Sequence, residues 1–220
     1  MEESIFLKII VVGESGVGKT SILSQYCYGR FESDVVATIG CDFSMKVLRA
    51  SDGRPVRLQL WDIAGQEKYK SMAKVYIRNA SGCIVVADAN MESSLHDAVK
   101  WKEFIDLQTM NTDGTIIPAL IIQNKADMIP AEAAGFQAPE FLEDFAEANK
   151  FLKGFQVSAK MDLNLSTSIE FLAHHIVNQS KKFTTSSTNV LNSVKISTES
   201  VLQPPKTKKS KKDARSKSCC

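Results

Sequence analysis

Residues 13–20 have the types and spacing of a phosphate-binding loop. They read Gly-Glu-Ser-Gly-Val-Gly-Lys-Thr, which fits the pattern G-x-x-x-x-G-K-[ST]. Glycines let successive backbone N–H groups turn inward around phosphate oxygens, and a following helix N-terminus adds partial positive charge. Lys19 can reach the β and γ phosphates of a nucleoside triphosphate, and the Thr20 hydroxyl can bind Mg²⁺. The residues predicted to contact the nucleotide here are Gly13, Glu14, Ser15, Gly16, Val17, Gly18, Lys19, Thr20 and Ser21.

A second motif, Asn124-Lys125-Ala126-Asp127, predicts which base is bound. An ionised aspartate only accepts hydrogen bonds, and guanine offers two adjacent donors, N1–H and the 2-amino group. Adenine offers neither, so a buried Asp127 carboxylate would select guanine. In Ser158-Ala159-Lys160 the backbone can bind the guanine carbonyl, and the Lys160 stem can pack on the ring. The predicted base-binding residues are therefore Asn124, Lys125, Asp127, Ser158, Ala159 and Lys160.

A third set of residues has the chemistry to bind a metal ion and to orient water. Asp62 ends an apolar strand pattern and can hold Mg²⁺, and Thr38 supplies a second hydroxyl beside that of Thr20. The Gly65 N–H can meet the γ-phosphate. Gln66 can orient the attacking water, which makes it the predicted catalytic residue. The predicted metal site consists of Thr20, Thr38 and Asp62.

These motifs need a sheet that brings them together, and the apolar pattern predicts one. An apolar run at 5–12 precedes the phosphate loop, and the runs at 83–87 and 119–122 are typical of strands buried on both faces. Segments 41–50 and 56–62 flank a turn sequence and predict a hairpin. Because strand patterns alternate with helical ones, we predict an α/β fold, doubly wound around a mostly parallel six-stranded sheet with flanking helices.

Composition separates a globular part from a basic tail. The chain has 220 residues, of which 44% are hydrophobic, and no stretch approaches the ~20 apolar residues of a membrane span. Residues 206–220 carry a net charge of +6, whereas the whole chain carries +2. Helical apolar spacing stops near residue 183, and a polar low-complexity stretch follows. We therefore predict a nucleotide-binding domain at 1–182 and a disordered tail at 183–220.

The motifs, in this order, resemble those of the Ras superfamily of small GTPases over roughly residues 5–182. Two features are similar to the Rab family in particular. One is an aromatic triad, which in this chain is Phe43, Trp61 and Tyr76. The other is the terminal pair Cys219-Cys220.

Some positions are similar to the Rab subgroup of lysosome-related organelles, mitochondria and phagosomes. They include Ile63, where threonine is commoner in Rabs, and Trp101-Lys102 in the third predicted helix. Two departures from the common Rab pattern are Ile77, where a second tyrosine is usual, and the run at 88–91. We expect both departures to affect packing or effector choice rather than nucleotide chemistry.

The resemblance implies a GTP/GDP switch that needs Mg²⁺ and hydrolyses GTP slowly. It implies two switch segments, roughly residues 31–45 and 63–78, that the γ-phosphate and Mg²⁺ order. Phe31 would pack edge-on to the guanine, and the aromatic triad would be the surface that effectors read. Ser71, in the second switch, is a candidate phosphorylation site.

The basic tail admits three interpretations: nuclear targeting, nucleic-acid contact or a membrane surface. In a Rab, Cys219-Cys220 implies geranylgeranylation of both cysteines, and two lipid chains anchor a protein stably where one does so only marginally. The resemblance therefore implies membrane attachment and no nucleic-acid partner. It implies an exchange factor, a GTPase-activating protein, a GDP dissociation inhibitor, prenylation escort machinery and effectors.

The implied location is the cytoplasmic face of endosomal, lysosome-related or phagosomal membranes, with cycling through the cytosol. Three functions stay open from the sequence. They are a slow GTP hydrolase that times vesicle trafficking, a GTP-dependent binding module with incidental hydrolysis, and an ATP-using kinase or ATPase. The presence of Gln66 favours the first over the second, and Asp127 disfavours the third.

Overall fold

The computed structural model describes residues 4–33, 37–65, 70–110, 114–132 and 134–191, without the side chains of 70–72 and 180–191. The chain divides into two units, Met1–Phe183 and Thr184–Cys220, and the site lies in the first. The predicted domain boundary at 182/183 stays a prediction. The elements are β1 (Ile5–Val12), α1 (Lys19–Tyr28), β2 (Cys41–Arg49), β3 (Pro55–Ile63), α2 (Lys70–Ile77), β4 (Gly82–Asp88), α3 (Ser93–Thr109), β5 (Ala119–Asn124), α4 (Pro139–Ala148), β6 (Lys153–Gln156) and α5 (Leu165–Leu191).

A six-stranded sheet with the order β2-β3-β1-β4-β5-β6 forms the centre of the fold. β2 runs antiparallel to β3, and the other neighbouring strands are parallel. The predicted α/β fold with a mostly parallel six-stranded sheet is confirmed. After β1 the chain builds β2 and β3 on one side and then β4 on the other, so the strand order reverses at β1. Open α/β sheets bind ligands at the carboxyl ends of the strands at such a point.

Helices cover both faces of the sheet because side chains alternate along each strand. Ile9 and Val11 pack with α1 and α5, whereas Ile10 and Val12 pack with α2, α3 and α4. All seven residues of β4 are buried, as expected for a parallel strand covered on both faces. Each face therefore has its own apolar core.

The parallel arrangement brings the predicted motifs to one edge of the sheet. The carboxyl ends of β1, β3, β4, β5 and β6 all point the same way, and the phosphate loop, residues 64–65 and the base motifs follow four of these strands. α1 begins at Lys19, directly after the loop, so that its N-terminus faces the same edge. The fold thus places backbone N–H groups where an anion can be bound.

The C-terminal end of α5 lies beyond the predicted domain, whereas the position of Ile77 agrees with the expected effect on packing. α5 continues to Leu191, past the point at which the apolar spacing stops. Ile77 is fully buried beneath the sheet, so its effect is on packing, as expected. Among the residues that the structure describes, no helix has an apolar stretch long enough to cross a membrane.

Candidate functional site

A cavity of about 400 Å³ opens at the carboxyl edge of the sheet. Its volume falls within the range of small-molecule sites, roughly 300–1,000 Å³. The structure brings together in its lining fourteen residues that the sequence predicted: Ser15, Gly16, Gly18, Lys19, Thr20, Ser21, Phe31, Thr38, Gly65, Asn124, Lys125, Asp127, Ala159 and Lys160. Sequence reasoning missed four further lining residues, Glu32, Ser33, Ala37 and Met128. Glu32, Ser33 and Ala37 lie in the predicted first switch and Met128 directly follows Asp127, so their sequence signal was their position beside predicted site residues.

The side chain of Lys19 lies at the centre of the phosphate loop. Its Nζ donates hydrogen bonds to the carbonyl oxygens of Gly13 and Glu14, each at 2.9 Å. Burial lowers the pKa of Lys19, while the nearby carboxylates of Asp62 and Glu14 act in the opposite direction. The loop thus wraps around a buried ammonium group, which an anion in the cavity would stabilise.

Asn124 joins three loops around the cavity. Its Nδ2 donates to the Val17 carbonyl at 3.0 Å, and its Oδ1 accepts from the Ala159 N–H at 3.1 Å. Gly18 has a left-handed φ of +92°, and a Cβ there would lie 2.3 Å from Asn124 Nδ2. Only glycine allows this approach. Asn124 is buried, so its amide positions the phosphate loop against the loops after β5 and β6.

At the other end of the cavity, Ser158 fixes the orientation of Asp127. The Ser158 hydroxyl donates to Asp127 Oδ1 at 2.5 Å and accepts from the Met161 N–H at 3.0 Å. Asp127 itself is exposed, whereas the predicted guanine-selecting carboxylate would be a buried one. The reason is its place on the 3-10 turn Ala126–Met128 at the rim of the cavity, where burial would require a base bound beside it.

The run at 88–91 contributes to the site more than the sequence suggested. Lys125 Nζ lies 2.7 Å from Asp88 Oδ2, and the Lys125 carbonyl accepts from Asn90 Nδ2 at 3.2 Å. Lys125 also has a left-handed φ of +66°. Two side chains of the run thus hold Lys125, a predicted base-binding residue, and the expectation that the run affects packing or effector choice stays a prediction. The sequence does hold a signal for this contact: Asp88 and Asn90 follow the apolar residues of β4, at the edge of the sheet where the predicted motifs also lie.

Three oxygen-bearing side chains converge beside Lys19. Thr20 Oγ1 lies 2.5 Å from Asp62 Oδ2 and 3.0 Å from Thr38 Oγ1, and Thr38 Oγ1 lies 3.3 Å from the same Asp62 oxygen. Asp62 Oδ1 is buried and has no hydrogen-bond partner among the described residues. Burial raises the pKa of Asp62, and the Thr20 hydroxyl and Lys19 oppose that shift.

This set of hydroxyl and carboxylate oxygens fits a magnesium ion. Mg²⁺ prefers oxygen ligands and is usually held by one or two carboxylates together with substrate phosphates. Asp62 supplies one carboxylate with an unused oxygen, and Thr20 and Thr38 supply two hydroxyls. Within the described part of the chain, no group of three or more His, Cys, Asp or Glu residues could hold a metal by itself. One carboxylate and two hydroxyls are suited to a metal that a phosphate ligand completes.

Gly65 brings the start of the second switch against the phosphate loop. A Cβ at Gly65 would lie 2.5 Å from the Gly13 carbonyl oxygen, the Glu14 carbonyl carbon and the Ser15 nitrogen. Such contact leaves no space for any side chain. Gln66, the next residue, lies outside the described residues, so its catalytic role stays a prediction.

The predicted aromatic triad forms a cluster on the surface. The ring centroids of Phe43 and Trp61 are 5.3 Å apart, and those of Trp61 and Tyr76 are 6.1 Å apart. Lys8 Nζ lies 4.6 Å from the Trp61 ring centroid and donates to the Arg78 carbonyl at 2.9 Å. The cluster thus connects β2, β3 and α2. The side chain of Ser71 and the residues Cys219 and Cys220 lie outside the described residues.

Comparison with known proteins gives one consistent result. A model of the Ras family matches residues 8–178, which include every lining residue of the cavity. The chain is 36% identical over 201 residues to "Ras-related protein Rab-32" of Mus musculus, covering 91% of this chain and 86% of that protein. It is 33% identical over 192 residues to Rab-7L1 of Rattus norvegicus (87% and 92%). Rab-32C of Dictyostelium discoideum is 40% identical over 176 residues (80% and 75%).

Proposed function

The chain belongs to the Rab family of small GTPases, and from this premise we propose that it is a membrane-bound GTP/GDP switch with slow hydrolysis. Family membership implies guanine-nucleotide binding and GTPase activity. The observation that supports the switch itself is the convergence of Thr38, from the first switch, with Thr20 and Asp62. A contact of this kind between a switch segment and the phosphate loop is what a γ-phosphate and its metal would stabilise.

Nucleotide binding would use the two ends of the cavity. The phosphate loop and the α1 N-terminus would bind the phosphates through backbone N–H groups, with Lys19 between the β and γ phosphates. Asp127 would accept the two donors of guanine with its carboxylate, oriented by Ser158. Phe31 and Lys160 line the same cavity and would pack against the base.

Thr20, Thr38 and Asp62 would hold Mg²⁺, either directly or through water. When bound, the metal neutralises negative charge on the phosphate oxygens. Thr38 belongs to the first switch, so its hydroxyl would lose its place when the γ-phosphate leaves. The Gly65 N–H, at the start of the second switch, would likewise lose its hydrogen-bond partner when the γ-phosphate leaves.

Hydrolysis would depend on Gln66 orienting the attacking water and would be slow. The cations that line the described part of the cavity are Lys19, Lys125 and Lys160, and no arginine is found among those lining residues. Arg30 lies before the first switch and is exposed. An arginine from an activating protein is worth roughly 10³–10⁵-fold in related enzymes. We expect this chain to need such a protein.

The output of the switch would be the surface around Phe43, Trp61 and Tyr76. β2 and β3 carry the first two residues, and α2, in the second switch, carries the third. Loss of the γ-phosphate would therefore change the relative positions of the three rings. Effectors that bind this surface only in the GTP state would regulate vesicle trafficking.

Attachment to membranes would use the tail. Geranylgeranyl groups on Cys219 and Cys220 would anchor the chain, and each basic residue close to an anionic leaflet adds about 1 kcal/mol. An exchange factor, a GTPase-activating protein, a GDP dissociation inhibitor and prenylation escort machinery would act on it, as family membership implies in general. The similarity to Rab-32 and Rab-7L1 favours an endomembrane, with endosomal, lysosome-related or phagosomal membranes as the proposed sites and cycling through the cytosol.

A nucleotide-competition experiment tests the proposal. Fluorescent GDP bound to the purified chain in the presence of Mg²⁺ should be displaced by unlabelled GTP or GDP and not by a large excess of ATP. Asp127→Asn should lower GTP affinity about 10- to 100-fold, because a hydrogen bond to a charged group contributes about 1.5–3 kcal/mol. Glu132→Gln, an exposed carboxylate outside the cavity, is the matched control. Displacement by ATP equal to that by GTP would contradict the proposal.

A further inference from the structure

We propose that Glu14 and Trp101 form a positioning contact that ties α3 to the phosphate loop and favours GTP over GDP. Trp101 Nε1 donates a hydrogen bond to Glu14 Oε1 at 3.0 Å, across 87 positions of sequence. The inference rests on the proposed function, because it concerns the same nucleotide site. It assigns the Glu14 side chain a role away from the nucleotide.

The Glu14 side chain is directed away from the ligand cavity. Glu14 is half-buried and does not line the cavity, whereas Ser15 and Lys19 of the same loop do. Trp101 is fully buried in the core between α3 and the sheet, and its ring packs edge-to-face on Phe104 at 6.0 Å. A rigid, buried indole is thus the fixed end of the contact, and the phosphate loop is the end that it holds.

The main chain of Glu14 lies between the two groups that would respond to a γ-phosphate. Its carbonyl oxygen accepts from Lys19 Nζ at 2.9 Å. Its carbonyl carbon lies 2.5 Å from the place of a Cβ on Gly65. A rotation of this peptide would therefore move the acceptor of Lys19 and press on Gly65 at the same time. The side-chain hydrogen bond to Trp101 opposes that rotation.

GDP and GTP should depend on this contact to different degrees. The backbone N–H groups further along the loop and the base-binding residues serve both nucleotides. In the proposed function Gly65 would meet the γ-phosphate alone, and its close approach to the Glu14 peptide leaves no space for that peptide to rotate toward it. Because a hydrogen bond to a carboxylate is stronger than one between neutral groups, its loss should be measurable.

A double-mutant cycle on the ratio of affinities tests the inference. The ratio of affinity for a non-hydrolysable GTP analogue to affinity for GDP is measured for the wild type, Glu14→Ala, Trp101→Phe and the double variant. Each single variant should lower the ratio about three- to tenfold, in the range expected for residues in direct contact. The double variant should lower it no further, and Glu14→Gln, which keeps an acceptor oxygen, should stay near the wild type.

Phe104→Leu is the matched control, because it removes the ring contact to Trp101 and leaves the indole N–H in place. It should lower stability and leave the ratio unchanged. Unchanged ratios in Glu14→Ala and Trp101→Phe, additive losses in the double variant, or an equal loss in Phe104→Leu would each overturn the inference. A wild-type chain that binds neither nucleotide would instead overturn the proposed function.

A second readout does not require the Trp101→Phe variant to fold. The chain has two tryptophans, so a Trp61→Phe background leaves Trp101 as the only one. In that background, exchange of GDP for the GTP analogue should change Trp101 emission, and Glu14→Ala should abolish the change. An equal change with and without Glu14 would overturn the inference.

Discussion

Thr20 is the residue at which the phosphate loop, the first switch and the β3 carboxylate meet. Its hydroxyl contacts both Asp62 and Thr38, at 2.5 and 3.0 Å. A single hydroxyl thus links three segments that are far apart in sequence. Substitutions here should reveal whether the cluster binds a metal that bridges phosphates.

Thr20→Asn should weaken binding of Mg²⁺ and GTP more than that of GDP, because Thr20 would hold a metal that neutralises charge on the β and γ phosphates. Titration of each nucleotide with and without Mg²⁺ measures the two affinities. Thr20→Ser keeps the hydroxyl and serves as the control. Equal losses for both nucleotides would argue against a metal role for Thr20.

Gln66→Leu should leave nucleotide binding intact and lower GTP turnover, both alone and with an activating protein. Leucine has a similar size and no group that orients water. Single-turnover release of phosphate is the measurement. If the variant hydrolyses GTP at the wild-type rate, the water-orienting role of Gln66 is wrong.

The helices and strands supply the rigid frame behind these residues. α3 has a buried side and an exposed side: Trp101 and Ile105 lie in the core, whereas Leu107 is 71% exposed. The buried side of α3 packs against the sheet, and its Trp101 contacts Glu14 of the phosphate loop. The packing of α3 and the geometry of the site are therefore connected.

Ile105→Ala should lower the free energy of unfolding by about 2–5 kcal/mol, since it removes buried methyl groups and leaves a cavity. Leu107→Ala on the same helix should change it by less than about 0.5 kcal/mol, as is usual for surface positions. Urea denaturation measures both values with nucleotide held at one concentration. Similar losses in the two variants would mean that the packing of α3 differs from the structure.

The sequence predicted the parts of the site that follow a local motif, and it also predicted the oxygen-bearing set Thr20, Thr38 and Asp62 from separate segments. The phosphate loop and the Asn124–Asp127 motif have fixed local spacing, and their position follows from the parallel sheet. The Glu14–Trp101 and Asp88–Lys125 contacts join residues from separate elements, and no spacing rule connects them. The exposure of Asp127 was missed for a related reason, because the depth of a turn depends on how the whole cavity closes.

At the scale of the whole molecule, a slightly acidic globular part carries a basic, cysteine-terminated tail. The proposal assigns nucleotide chemistry to the first and membrane attachment to the second. The two functions should therefore be separable by truncation.

Deletion of Cys219 and Cys220 should move the protein from membranes to the cytosol and leave GTP affinity unchanged. The physical reason is that the tail would carry the proposed lipid anchor, whereas the described lining residues of the cavity all lie before it. Membrane fractionation and nucleotide titration measure the two effects. Reversal of the tail's lysine charges, with both cysteines kept, should change only which membranes are bound. Persistent pelleting of the deletion variant with membranes would refute the lipid-anchor proposal.

The central claim is that this chain is a slow, GTP-operated switch with no arginine among the described residues that line its cavity. The most direct test is single-turnover hydrolysis of GTP by the purified chain with Mg²⁺ and no other protein. We predict a rate of the order of 10⁻⁴ s⁻¹, as in small GTPases without a cis arginine, and a large increase with an activating protein. An intrinsic rate near 1 s⁻¹, about four orders of magnitude above this expectation, would contradict the account.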